Sequence, residues 1–241
     1  KPYPHSCTEL YDVYEITTSG VYKININPDD DEPPSVISVY CDMVTDGGKW
    51  MVLLRRIYGN VSFDRTWSTY KNQFGDLHGD LWMGLDFMHH VTVNMGLSYE
   101  LRIDMISFPR YENNDFTGPE ERGYAKYKTF SVAGPTSFYR LSVGGFSGNW
   151  GDSMDAHNDM MFTANGTEND HDRYSNFNCA ELFCGGWWYD SCSVARLTGE
   201  YGMIVPEVNY RNKILHPGII WKTHLGKDEH PKFVEMKIRL V

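Results

Sequence analysis

The last residues of the chain constrain it most. Val234, Met236, Ile238 and Leu240 alternate with Glu235, Lys237 and Arg239. Side chains of an extended strand point to opposite faces with a period of two, so this segment presents one apolar and one charged face only as a strand. A terminal strand patterned this cleanly is tied into a central sheet, with one face on the core. The same period recurs where Leu101, Ile103 and Met105 alternate with Arg102 and Asp104. It recurs again where Tyr139, Leu141 and Val143 alternate with Arg140 and Ser142. Helical spacing is scarcer. Trp67, Tyr70 and Phe74 share an i, i+3, i+7 face, with Asp64 placed to cap that helix and Gly75 to stop it, and residues 81–91 can hold a second short helix. Segments 27–35, 111–123 and 205–218 carry Pro, Asn, Asp and Gly and read as loops.

From Gly144 to Gly186 the periodicity disappears into Gly, Asn, Asp and aromatic residues. So long an irregular stretch in a compact domain is ordered by a ligand, a metal or a disulfide, and function is to be sought there. Composition agrees with a β- and loop-rich chain, since 15% of the 241 residues are aromatic and 22 are glycine. That length fits one large domain or two small ones. A net charge of −10 argues against nucleic acid and anionic membranes, which need a basic face. No apolar run reaches the ~18 residues of a membrane span. The chain begins at Lys1 with no signal-like stretch and reads as a mature fragment or excised domain.

Five cysteines lack the spacing of a metal or redox site, and no Cys-x-x-Cys occurs. A disulfide reading fits better: Cys7 and Cys41 bracket an N-terminal segment, Cys179 and Cys192 bracket a Gly-Gly-Trp-Trp turn, and Cys184 is left odd. The sequons Asn60-Val61-Ser62 and Asn165-Gly166-Thr167 are consistent with secretion. Asp170 and Asp172 offer two carboxylates to a hard cation such as Ca²⁺, or belong to a solvated acidic loop. Trp187 and Trp188 line an aromatic recess or form the core of a small subdomain, and the residues alone favour the core. Catalytic patterns are missing. Ser153, Asp155 and His157 lie close in sequence, but no nucleophile elbow frames a serine, no phosphate loop follows the glycines, and no carboxylate pair stands out. The chain is not expected to be an enzyme.

Taken together, several passages resemble the fibrinogen-related C-terminal domain, the globular module of fibrinogen chains, ficolins, tachylectins, angiopoietins and tenascins. They are Cys7-Thr8-Glu9-Leu10, Val39-Tyr40-Cys41-Asp42-Met43, Phe63-x-Arg65-x-Trp67-x-x-Tyr70, Tyr99-Glu100-Leu101-Arg102, Asn178-Cys179-Ala180, Gly186-Trp187-Trp188-Tyr189-x-x-Cys192 and Gly218-Ile219-x-Trp221. They span nearly the whole chain in order. The resemblance implies one α+β domain over residues 1–241, with a central twisted antiparallel sheet, few short helices and a loop-rich Ca²⁺- and ligand-binding region. Its subregions would be an N-terminal disulfide-closed part (1–50), the sheet (51–145 plus 229–241) and the binding part (146–228).

The resemblance further implies disulfides Cys7–Cys41 and Cys179–Cys192 and a cis peptide at Ser191–Cys192. It implies a Ca²⁺ site from the side chains of Asp170 and Asp172 and the carbonyls of about Tyr174 and Asn176, where one extra residue precedes Cys179. Family lectins hold acetyl groups beside the second disulfide, which here maps to Phe183, Trp188, Ser191, Cys192, Ser193 and Tyr210. Phe183 fits the aromatic position of the lectin pattern without a hydroxyl, while two walls are changed: Ser193 replaces His, and Lys227 replaces an aromatic residue, a swap that favours carboxylate, sulfate or sialic-type groups. The expectation is a secreted, Ca²⁺-dependent, lectin-like recognition module for acetylated or acidic glycans in pathogen recognition or adhesion, oligomeric through a stalk outside this chain. The alternative is a protein-binding domain that docks a receptor or integrin through the same loops.

Overall fold

The computed structural model describes residues 3–27, 33–109, 118–167, 169, 178–203, 208–210, 213–215, 217–226 and 230–241. Its short helices are α1 (Cys7–Asp12), α2 (Trp67–Tyr70), α3 (Leu85–His89), α4 (Cys179–Leu182) and α5 (Lys222–Leu225). The first seven strands are β1 (Gly20–Asn25), β2 (Val36–Asp42), β3 (Trp50–Arg56), β4 (Phe74–Gly75), β5 (Leu81–Trp82), β6 (Tyr99–Ser107) and β7 (Arg122–Val132). They are followed by β8 (Leu141–Gly148), β9 (Ala195–Arg196), β10 (Val208–Tyr210), β11 (Lys213–Leu215), β12 (Ile220–Trp221) and β13 (Pro231–Leu240).

One antiparallel sheet organises the molecule in the order β1-β2-β3-β13-β6-β7-β8, with the β4–β5 hairpin hung on β3. The C-terminal strand is therefore central: Met236 lies opposite Leu54 on one side and Ile103 on the other. Alternation decides burial along β6, where Leu101, Ile103 and Met105 are buried and Arg102 and Asp104 half-buried. The sheet runs on into the first fifty residues, because β1 pairs with β2 and Cys41 of β2 lies opposite Met51 of β3. The Cys7–Cys41 disulfide ties α1 to that edge.

The charged face of β13 is also covered. Lys237 Nζ lies 2.6 Å from Asp42 Oδ2, 2.8 Å from Asp104 Oδ2 and 2.9 Å from Glu235 Oε1. Glu235 also accepts from Arg55 Nε at 2.7 Å. Burial alone would raise the Asp42 carboxyl, but the Lys237 ammonium reverses this and holds it well below the usual carboxylate range.

Three expectations differ from the structure. The helix from Trp67 is a single turn, its N-cap is Thr66 rather than Asp64, and Phe74 belongs to β4. The three rings still converge, with Tyr70 and Phe74 centroids 5.4 Å apart, because large aromatics reach each other across a turn as readily as along a helix. Gly75 does not stop a helix: it has φ +89, and a Cβ there would lie 2.1 Å from the Asp80 carbonyl. Tyr139 is buried but precedes β8 in a left-handed turn at φ 51, so its burial comes from that turn and not from the strand. The segment read as a loop at 205–218 contains the β10–β11 pair.

Candidate functional site

The helix α4 begins the loop region around the second disulfide. Asn178 caps it, its side-chain oxygen accepting from Ala180 N at 2.8 Å and Glu181 N at 3.2 Å. The chain leaves α4 through Phe183 and Cys184 and enters Gly185-Gly186. Both glycines are demanded by close approach: a Cβ on Gly185 would lie 2.4 Å from the Thr198 carbonyl, and one on Gly186 would lie 2.8 Å from the rings of Phe162 and Tyr70. The Tyr70 hydroxyl accepts from Gly186 N at 2.9 Å. Trp187 then exchanges backbone hydrogen bonds with Thr163, and Cys192 returns to Cys179. The Ser191–Cys192 peptide is cis.

Two buried side chains fasten this loop. His157, with no exposed surface, donates from Nδ1 to the Trp188 carbonyl at 2.6 Å, while Nε2 accepts from Ala195 N at 2.9 Å and Val194 N at 3.2 Å. Those partners require the neutral imidazole. Burial pushes the His157 pKa down to about 4, with Arg196 acting in the same direction and the Trp188 carbonyl and Asp190 against it. Arg196 is buried in β9. It donates to Ser193 Oγ at 3.0 Å and to the Gly218 carbonyl at 2.8 Å, and its guanidinium covers the Phe183 ring at 4.1 Å. The Phe183 ring also stacks near Tyr189, with centroids 6.5 Å apart.

The structure brings Phe183, Ser191, Cys192 and Ser193 together around the disulfide. Trp188 follows the core reading of the residues, and its mapping to the pocket is corrected: it is fully buried behind the site, donates from its indole to the Tyr139 carbonyl at 2.7 Å, and packs on Phe162 and Trp82. An indole needs a large dry contact area and one acceptor, and the core supplies both. Along this stretch Glu181, Asp190 and Ser191 are exposed. Of Tyr210 only the backbone in β10 is described. Asp170, Asp172, Tyr174, Asn176 and Lys227 lie outside the described residues. Among the described residues no group of three or more His, Cys, Asp or Glu is placed to hold a metal ion. Cys184 is free and half-buried. Asn60 and Asn165 are both exposed.

Sequence reasoning missed His157 and Arg196 as organisers of the site. His157 had a visible neighbourhood, but Ser153 bonds Thr223 at 2.7 Å and Asp155 points to solvent, so the three residues close in sequence have separate tasks. Nothing local distinguishes Arg196.

The model of the family described as fibrinogen beta and gamma chains, C-terminal globular domain, matches residues 3–241. Tenascin-R of Gallus gallus is 38% identical over 223 residues, covering 92% of this chain and 14% of that protein. Tenascin of Mus musculus is 36% identical over 238 residues, 99% of this chain and 10% of that protein. The chain thus spans only a small part of these relatives. The fibrinogen-like globe domain of human ANGPTL2 superimposes with a TM-score of 0.81 at 31% identity, covering 98% of each chain. A lamprey fibrin D-dimer complexed with the peptide Gly-His-Arg-Pro-amide superimposes with a TM-score of 0.80 at 27% identity, covering all of this chain and 75% of that one.

Proposed function

This chain belongs to the family of fibrinogen C-terminal globular domains, and from that premise we propose that it is an extracellular recognition domain that docks a protein partner through the loops around Cys179–Cys192. One observation carries this reading: among the described residues, the two rings mapped to an acetyl pocket, Trp188 and Phe183, are engaged with the domain itself. Trp188 is buried, Phe183 lies under the Arg196 guanidinium, and Ser193 accepts from the same arginine. Exposed along the same stretch are Glu181, Asp190 and Ser191, a polar rim that carries two carboxylates. On a chain of net charge −10, that rim is complementary to a basic segment. The tenascin relatives and the peptide held by lamprey fibrin support a protein or peptide ligand. A single site of this size binds weakly, so the domain would act multivalently on an oligomeric stalk.

The proposal includes Ca²⁺, held by Asp170 and Asp172 with the carbonyls of Tyr174 and Asn176. Oxygen donors of this kind suit a hard cation. The described residues on either side of them are anchored, Asn169 by donating to the Phe162 carbonyl at 2.9 Å and Asn178 as the cap of α4. The ion would stiffen the span between these anchors.

The test is binding of the chain, tetramerised on streptavidin, to cultured cells in Ca²⁺. Protein docking predicts loss after the cells are shaved with trypsin, loss in Asp190→Ala combined with Glu181→Ala, and no competition by free N-acetylglucosamine. Displacement by that sugar, or retention on N-acetylglucosamine-agarose, would overturn it in favour of the lectin reading.

A further inference from the structure

On the far side of the Cys184 turn lies a recess of about 510 Å³, the size range of small-ligand sites. Three consecutive wall residues are Asn60, Val61 and Ser62, which form a complete N-glycosylation sequon. The sequon is held firmly. Asp80, fully buried, accepts from Ile57 N at 2.6 Å and Tyr58 N at 3.2 Å through one oxygen, and from Asn60 N at 3.0 Å through the other. Gly59 lies flat on Tyr201, since a Cβ there would come within 2.3 Å of its ring. The asparagine side chain itself is exposed. Asp64 continues that wall, and the recess is lined further by Arg56, Glu200, Tyr201 and the free thiol of Cys184.

We propose that Asn60 carries an N-glycan whose first sugars occupy this recess and shield the Cys184 thiol. The occupant follows from the placement: a glycan on Asn60 is tethered to the wall of the cavity and has the shortest path into it of any ligand. The lining suits a neutral polyhydroxylated ring, with Tyr201 as an aromatic wall, carboxylates of Asp64 and Glu200 to accept from sugar hydroxyls, and no excess of either charge sign strong enough to select an ion. Two disulfides fit an oxidising secretory route, where such glycans are added. The assignment also accounts for an unpaired cysteine in such a compartment. A bond between two copies through Cys184 needs Cα atoms within about 7 Å. Two thiols each set in a concavity do not meet at that distance. The second sequon differs: Asn165 lies at a turn closed by Thr167 N on the Ala164 carbonyl, a Cβ on Gly166 would touch nothing within 4 Å, and a glycan there projects into solvent.

The protein secreted from a eukaryotic host tests this in two measurements. Peptide mass spectrometry reports whether Asn60 is glycosylated. The rate of native Cys184 labelling by a polyethylene-glycol maleimide is then compared between wild type, Asn60→Gln and Ser62→Ala, with Asn165→Gln as the control. Expected are an occupied Asn60, labelling several-fold faster in both sequon variants, and no change in the control. Ser62→Ala removes the glycan while leaving Asn60 in place, so agreement between the two variants separates shielding from a local packing defect. An unmodified Asn60, or equal labelling rates in wild type and Ser62→Ala, overturns the proposal.

Discussion

His157 joins two passages of chain that the disulfide alone does not hold, the Trp188 carbonyl on one side and the Val194–Ala195 amides on the other. Its folded pKa of about 4 lies below the unfolded value of 6.5. The unfolded chain therefore binds the proton first, and the stability contributed by His157 is present above pH 6.5 and lost as pH falls toward 4. The expected loss between pH 7 and pH 5 is about 2 kcal/mol, measured by urea unfolding at both values. His157→Gln should begin less stable at pH 7 and lack that component, whereas an unchanged slope would remove His157 as its source. At the same scale, Gly185-Gly186 was legible in the sequence as a turn. The close approach of Thr198, Tyr70 and Phe162 that requires glycine was not, because those residues come from other segments.

Among the elements, β13 shows how a strand read as half-polar comes to be covered on both faces. Its central place between β3 and β6 carries Glu235 and Lys237 under the side chains of neighbouring strands, where each charge must find a partner. Lys237→Met would leave Asp42, Asp104 and Glu235 facing one another with the compensating ammonium gone. Breaking a buried pair from one side costs roughly 3–5 kcal/mol, so the midpoint of chemical unfolding should fall markedly. A change below about 1 kcal/mol, the level of an exposed ion pair, would mean that the network is solvated in practice. The period of β13 and β6 was plain in the sequence. The aromatic spacing from Trp67 misled, since rings at i, i+3 and i+7 meet through a turn and a hairpin as well as on a helix face.

For the whole molecule, the binding part at 146–228 shows only short strands among its described residues and depends on cross-links: the Cys179–Cys192 disulfide, the His157 and Arg196 fastenings, and the proposed ion. A ligand that binds only the folded state stabilises by about 2.7 kcal/mol at a hundred times its dissociation constant. For a domain of this size that corresponds to a rise in midpoint of roughly 5–10 °C. Calorimetry in saturating Ca²⁺ against EDTA should show such a rise, and Asp170→Ala with Asp172→Ala should abolish it. Equal midpoints in both buffers would leave the acidic loop a solvated one. Binding to cells follows the same division, because the partner would meet the exposed rim of Glu181, Asp190 and Ser191, whose position is set by cross-links inside the domain.

The amino-acid sequence by itself determined the alternating strands, the place where periodicity ends, the cysteines that bracket two segments, and the motifs that carry the family resemblance. All of these are local in the chain, and period, composition and spacing are local quantities. Which face of Phe183 remains available, whether Trp188 is wall or core, and what Cys184 looks onto were decided only by the tertiary structure. Each depends on a residue distant in sequence arriving at the same point: Arg196 over the Phe183 ring, Tyr139 and Trp82 around Trp188, and the Asn60 loop lining the same recess as Cys184. A side chain's chemistry is written in the chain, but its solvent, its partner and its exposed face are supplied by whatever the fold packs against it.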